Sequence, residues 1–212
     1  MKKLTVAALA VTTLLSGSAF AHEAGEFFMR AGSATVRPTE GAGGTLGSLG
    51  GFSVTNNTQL GLTFTYMATD NIGVELLAAT PFRHKIGTRA TGDIATVHHL
   101  PPTLMAQWYF GGASSKFRPY VGAGINYTTF FDNGFNDHGK EAGLSDLSLK
   151  DSWGAAGQVG VDYLINRDWL VNMSVWYMDI DTTAKYKSGV NTVKDSVRLD
   201  PWVFMFSAGY RF

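Results

Sequence analysis

The sequence predicts an all-β fold: an eight-stranded antiparallel transmembrane β-barrel with short periplasmic turns and four long extracellular loops. Three observations carry the prediction. The first is the final stretch, in which Trp202, Phe204, Phe206, Ala208, Tyr210 and Phe212 share one parity and are all apolar or aromatic. Side chains alternate across a strand, so one face of such a stretch suits lipid while the other meets a crowded or wet interior. The second is an export signal with no spanning helix behind it. Lys2 and Lys3 precede a short apolar run from Leu4 to Leu15, and Ala19-Phe20-Ala21 forms an A-x-A cleavage site. That run is shorter than the roughly 20 residues a spanning helix needs. Residues 1–21 are therefore expected to be a cleaved signal, His22 the mature start, and 22–212 a single barrel domain. The third is that the alternation of the last stretch recurs seven more times along the chain.

Strand one is expected over Glu26 to Val36, with Phe27, Met29 and Ala31 opposed to Phe28, Arg30 and Gly32. Residues 37–56 are rich in glycine and read as the first long loop. Strand two runs from about Thr58 to Ala68, setting Leu60, Leu62, Phe64 and Tyr66 against Gln59, Gly61, Thr63 and Thr65. A tight turn at Thr69-Asp70-Asn71 leads to strand three, where Ile72, Val74, Leu76 and Ala78 oppose Gly73, Glu75, Leu77 and Ala79. Residues 81–99, with Pro81, charges and three histidines, read as the second loop. Strand four sets Leu104, Ala106, Trp108 and Phe110 against Thr103, Met105, Gln107 and Tyr109, and Gly111 to Lys116 is a short turn.

Strand five places Phe117, Val121, Ala123, Ile125 and Tyr127 opposite Arg118, Tyr120, Gly122, Gly124 and Asn126. Residues 131–150 read as the third loop, with a helical turn near Leu144 to Leu149. Strand six opposes Trp153, Ala155, Val159, Val161 and Tyr163 to Gly154, Ala156, Gln158, Gly160 and Asp162. After a turn at Ile165 to Asp168, strand seven opposes Trp169, Val171, Met173, Val175 and Tyr177 to Leu170, Asn172, Ser174 and Trp176. Residues 181–197 are the fourth loop, and Trp202 to Phe212 close the barrel as strand eight.

An even strand number puts both termini on the periplasmic side. No Asp, Glu, Lys or Arg falls on a face assigned to lipid, and aromatics gather at the strand ends as two interfacial girdles. A soluble, lipocalin-like barrel has the same strand count but puts the apolar faces inside and leaves the girdles without a reason. The composition excludes other classes. Cysteine is absent, which removes disulfides, thiolate metal sites and thiol nucleophiles. Lys+Arg and Asp+Glu are balanced at 17 each, so nothing favours nucleic acid as a partner.

Several runs together resemble the OmpW family of small outer-membrane barrels: the signal, His22-Glu23-Ala24-Gly25, Phe117 to Gly124 (FRPYVGAG) and the final Gly209-Tyr210-Arg211-Phe212. The resemblance covers the whole chain. It implies a narrow barrel, in the outer membrane, that admits small hydrophobic molecules.

The inward parity adds detail. Arg30, Glu75, Arg118, Asp162 and Arg211 are the charged residues expected inside, and buried charges need partners, so they are read as a polar plug toward the periplasmic end. Above it Leu77, Met105, Trp176, Val203 and Met205 form an apolar floor, which would hold an apolar ligand and obstruct water. Such residues also fill small barrels simply as packing. Leu46, Leu49, Phe52 and Val54 extend the apolar surface at the mouth. With the base plugged, a captured ligand would leave sideways, between strands, into lipid.

His84, His98, His99 and His138 lie in the outer loops with Asp93, Asp132 and Asp137 nearby, but no G-x-S-x-G or H-E-x-x-H accompanies them. Neither catalysis, a cofactor nor a resident metal is expected. The expected partners are outer-membrane lipids, small hydrophobic ligands and, through Phe212, the barrel-assembly machinery. Surface recognition, as an adhesin or a receptor for phage or bacteriocin, is the alternative function.

Overall fold

The computed structural model describes residues 22–39, 41–44, 53–88, 92–112 and 115–212. The signal segment and Leu46, Leu49 and Phe52 of the expected mouth lie outside the described residues. Eight strands close into a barrel: β1 (Phe27–Arg37), β4 (Asn57–Met67), β5 (Ile72–Ala79), β8 (Thr103–Tyr109), β9 (Phe117–Phe135), β11 (Ser152–Leu164), β12 (Trp169–Met178) and β15 (Trp202–Arg211). They pair antiparallel in the order β11-β12-β15-β1-β4-β5-β8-β9, and β9 pairs back onto β11. Every expected strand is present, and the first and last meet in the register Arg30↔Gly209 and Val36↔Val203. Full closure leaves no sheet edge, the condition a β structure must meet in lipid.

The tight turns have local causes. Asn166 accepts the backbone N–H groups of Asp168 and Trp169, an Asx-type turn between β11 and β12. Thr69 Oγ1 accepts those of Asn71 and Ile72 between β4 and β5.

The wall is apolar outside and polar inside. Leu60, Leu76, Ile125, Val159, Met173 and Phe206 are exposed, whereas Arg30, Glu75, Arg118 and Asp162 are buried in the lumen. That orientation excludes the lipocalin arrangement. Aromatic pairs mark the two rims: Trp169–Tyr210, Tyr210–Phe212 and Phe27–Phe212 below, Tyr127–Trp153 and Tyr177–Trp202 above. Phe212 is exposed, its N–H bonded to the Phe27 carbonyl.

The segments expected to be loops are largely strands. Residues 81–99 form a hairpin, β6 (Phe82–Thr88) and β7 (Gly92–Leu100), and β7 pairs with the upper end of β9. Residues 181–197 form the hairpin β13 (Asp181–Ser188) and β14 (Asn191–Arg198). Short strands β2 (Gly41–Ala42) and β3 (Ser53–Val54) pair with β14 and β6. The helical turn expected at Leu144–Leu149 is instead strand β10, paired with β13. The helix lies earlier, α1 (Asp137–Glu141), capped by Asn136, whose side chain accepts the Gly139 N–H.

These corrections share one reason. Above the upper girdle the outer face of a strand meets water, so the pattern inverts. In β6 Phe82 and His84 point in while Arg83 and Lys85 point out; in β13 Ala184 and Tyr186 point in while Lys185 and Lys187 point out. Charged outward positions resemble a loop only when lipid is assumed on every outer face.

Candidate functional site

The lower lumen is a hydrogen-bonded network centred on Arg30. β1 carries its side chain inward, between β4 on one side and β15 on the other. Its guanidinium donates to Asp162 through Nε (3.1 Å) and Nη2 (2.5 Å), to Tyr109 Oη (2.8 Å) and to Glu75. Glu75 Oε1 accepts from Gln107 (2.8 Å) and Gln158 (3.0 Å), and Asp162 Oδ1 accepts from Asn172 (2.7 Å). All four oxygens of the two carboxylates are thus engaged from the wall, as a buried ionic network requires. Tyr120 Oη accepts from Asn172, and its ring lies beneath the guanidinium at 5.4 Å. Gly160 makes room for that ring: a Cβ there would sit 2.5 Å from the phenol carbon and oxygen.

Of the five residues expected in the plug, Arg30, Glu75 and Asp162 come together. Arg211 and Arg118 do not pair with them. Arg211 binds Glu26 through Nε (2.5 Å) and Nη2 (2.8 Å) at the periplasmic rim. Arg118 donates to the Asp70 carbonyl (2.7 Å) and lies over the Tyr109 ring at 5.8 Å. The link the sequence reading missed is His22. It is fully buried, stacked on Phe28 at 4.4 Å, and joins Asp162 (2.9 Å) to Glu26 (3.1 Å). Both ring nitrogens face carboxylate oxygens. Nothing in the flanking sequence marks His22; Gln107, Gln158, Asn172, Tyr109 and Tyr120 were marked only by inward parity. Below the network Phe28, Met67, Leu164 and Leu170 close the base as a small apolar cluster.

Above the network the lumen turns apolar. Leu77, Met105, Trp176, Val203 and Met205 are all buried and belong to one cluster. Trp176 lies opposite Val203, which lies opposite Val36, and its indole N–H donates to Ser174 Oγ (3.1 Å). The cluster does not stop at the girdle. It continues through Val54, Phe82, Val97, Phe130, Tyr186 and Val197 into the extracellular sheets. There they enclose a cavity with an almost wholly apolar wall and about 40 Å³ of free interior space. That is room for a few water molecules, so a larger guest must displace side chains. Val54 lines it, as expected of the mouth; the hairpin residues were missed because their segments read as loops.

The histidines are not arranged for nucleophilic catalysis. His84 Nδ1 donates to the Thr55 carbonyl (2.5 Å), and the Nε2 atoms of His84 and His99 are 3.0 Å apart. Among the described residues neither ring is hydrogen-bonded to a carboxylate or a serine. Burial pushes both below the usual histidine range, His99 to about 3 with His84 beside it. His98 and His138 lie elsewhere, His98 against the Asp132 carbonyl and His138 on α1. Asp179, Asp181 and Asp200 converge at the upper rim, where Arg198 meets two of them.

A hydrogen-bonded polar base, an apolar upper lumen and a lipid-facing outer wall can now be set beside known proteins. A family model described as OmpW family matches residues 23–212. The chain belongs to the OmpW family. It is 96% identical to outer membrane protein W of Escherichia coli (strain K12), over all 212 residues and the full length of both chains. The crystal structure of the outer membrane protein OprG from Pseudomonas aeruginosa matches with a TM-score of 0.83 at 44% identity, covering 92% of this chain and 99% of that one. A more distant relative, the dibenzothiophene metabolism operon protein PahQ of Pseudomonas aeruginosa, is 27% identical over 166 residues, 77% of this chain and 75% of its own. This OmpW-family chain is therefore an outer-membrane β-barrel, and its family is one of barrels, not of enzymes.

Proposed function

We propose that this barrel takes up small hydrophobic molecules at the cell surface through a narrow apolar path. The observation that carries the reading is continuity: one apolar cluster runs from the extracellular cavity down to Trp176 and Leu77 and ends on the Arg30 network. An apolar concavity with few polar groups is what binds an apolar solute. The name of PahQ, tied to the metabolism of an apolar sulfur heterocycle, supports the same substrate class. In this reading the polar network is a plug that blocks axial exit, and the ligand leaves through the wall.

The β4–β5 seam suits that exit. Its ladder ends at Gly61↔Ala79, with one more bond from the Thr80 N–H to Leu60. Pro81, which has no N–H to donate, follows, and Thr80 donates to the Gln59 side chain across the seam (3.1 Å). No catalytic step is part of the reading.

The test is uptake of a labelled apolar solute into liposomes carrying the refolded protein, beside Trp176→Asp and Leu77→Asp. Uptake above that of empty liposomes, changed by either substitution, is expected. Uptake equal to empty liposomes for all three proteins would reject transport and turn attention to the exterior as a recognition surface.

A further inference from the structure

We propose that the cavity selects apolar molecules carrying one hydrogen-bond donor, such as alcohols and phenols, and that His99 Nδ1 is the atom that receives that donor. The inference rests on the capture reading above and adds the chemical class of the guest.

The tautomers follow from the partners. The Thr55 carbonyl only accepts, so His84 Nδ1 carries its proton. In a neutral ring His84 Nε2 is then a lone pair, and the contact at 3.0 Å requires His99 Nε2 to donate to it. The proton on His99 Nε2 leaves Nδ1 of that ring as an acceptor. That atom is buried and has no hydrogen-bond partner among the described residues. The surroundings offer none: the ring is flanked by Phe82 at 5.5 Å and Phe130 at 6.0 Å. Both rings are neutral at ordinary pH, since burial opposes their charging.

His84 and His99 are also on the wall of the apolar cavity. Among the described residues the other polar side chain there is Tyr186, whose hydroxyl donates to Asp195 at 2.8 Å. An orphaned acceptor in an apolar site is costly when left unpaired and discriminates for a guest that pairs it. A guest bearing only acceptors, such as an ether, gains nothing from it. The relay from Thr55 through His84 fixes the lone pair in place, because reversing either tautomer would leave a donor unsatisfied or set two lone pairs face to face. Donor-bearing guests are thus read by a rigid element rather than by a flexible side chain.

The test uses the full chain in lipid nanodiscs, with empty nanodiscs subtracted, and three guests of matched shape: para-cresol, para-methylanisole and para-xylene. In calorimetric titration para-cresol should bind about 2- to 10-fold tighter than the other two, the yield of one net neutral hydrogen bond. His99→Leu alone would bare the His84 Nε2 lone pair on the same wall, so the variant is His84→Leu with His99→Leu, in which the para-cresol advantage should vanish while para-xylene still binds. The imidazole nitrogen-15 resonance of His99 Nδ1 in the unaltered protein should move with para-cresol and stay with para-xylene, a readout that needs no variant. Equal affinity for all three guests would overturn the inference and leave capture of apolar solutes standing. A para-cresol advantage that survives in the His84→Leu, His99→Leu double variant would overturn it too. No binding above empty nanodiscs for any guest would overturn the capture reading itself.

Discussion

Replacing Arg30 by Met tests whether the lower lumen is a dry plug. The substitution keeps an unbranched apolar stem and removes the guanidinium. In the structure that group contacts Asp162 and Glu75, donates to Tyr109 and reaches the hydroxyls of Thr63 and Thr65 at 3.4 and 3.3 Å. It also sits over the Phe28 ring at 4.7 Å. Arg30 is 1% exposed and both carboxylates are 0% exposed, so nothing in solvent replaces what is lost. Breaking a buried pair from one side costs about 3–5 kcal/mol, because the remaining charge stays desolvated. Two carboxylates are left here, but Asp162 retains His22 and Asn172 while Glu75 retains Thr65, Gln107 and Gln158.

The loss is therefore expected within that range and not at twice it. Equilibrium urea unfolding of the protein in lipid vesicles measures it, with Asp162→Asn and the double variant closing a thermodynamic cycle. Coupling of about 1–3 kcal/mol between the two sites is expected of neighbours in one network. Single-channel recording of Arg30→Met should also show raised ion leak. A loss below about 1 kcal/mol with no coupling would mean that water already reaches the carboxylates, the behaviour of exposed pairs, and the plug reading would fall.

Acid should loosen the extracellular sheets before the membrane barrel. His99 is held at about 3 against an ordinary 6.5, so between those values the unfolded segment binds more protons than the folded one. Stability then declines as pH drops below 6.5 and continues down to about 3, with an upper limit of roughly 4–5 kcal/mol from this shift. His84 is the titratable group facing it, itself depressed, and adds in the same direction. Limited proteolysis of the β6–β7 hairpin across that pH window, flattened in His99→Leu, checks the prediction. Gly160→Ala should drive a Cβ into the Tyr120 ring and destabilise the barrel by about 1–3 kcal/mol, read by urea midpoint. Since the chain has no cysteine, Gln59→Cys with Thr80→Cys makes an isolated cross-link across the β4–β5 seam. Oxidation should stop solute transfer while sparing binding, and reduction should restore it; unchanged transfer would rule out that exit.

The membrane half of the fold was legible because a bilayer enforces one rule on every spanning strand. Leu60, Leu62, Phe64 and Tyr66 opposite Gly61, Thr63 and Thr65 allow one register only. The same rule hid the upper half. Phe82, His84 and Ile86 alternate as cleanly with Arg83 and Lys85, but the alternation has the opposite sense, and it read as loop. Inward parity identified Arg30, Glu75 and Asp162, yet not their partners. Pairing depends on which inward positions share a depth, and strand tilt and register set that, not sequence spacing. Trp176 and Leu77 stood out because an apolar residue at a lumen position breaks the local pattern. His22 breaks none.

Strand β9 runs unbroken from Phe117 to Phe135, through the lipid and well past the upper girdle at Tyr127. The eight residues beyond that ring amount to about 27 Å of chain at ordinary strand rise, less when projected through the tilt. The wall therefore carries the apolar cavity upward from the girdle level of Val36 and Pro201, above the hydrocarbon layer. Acyl chains are the most abundant apolar competitors in any membrane, and this elevation keeps them out of contention. In the capture proposed above, a dilute solute then contends with water for the site.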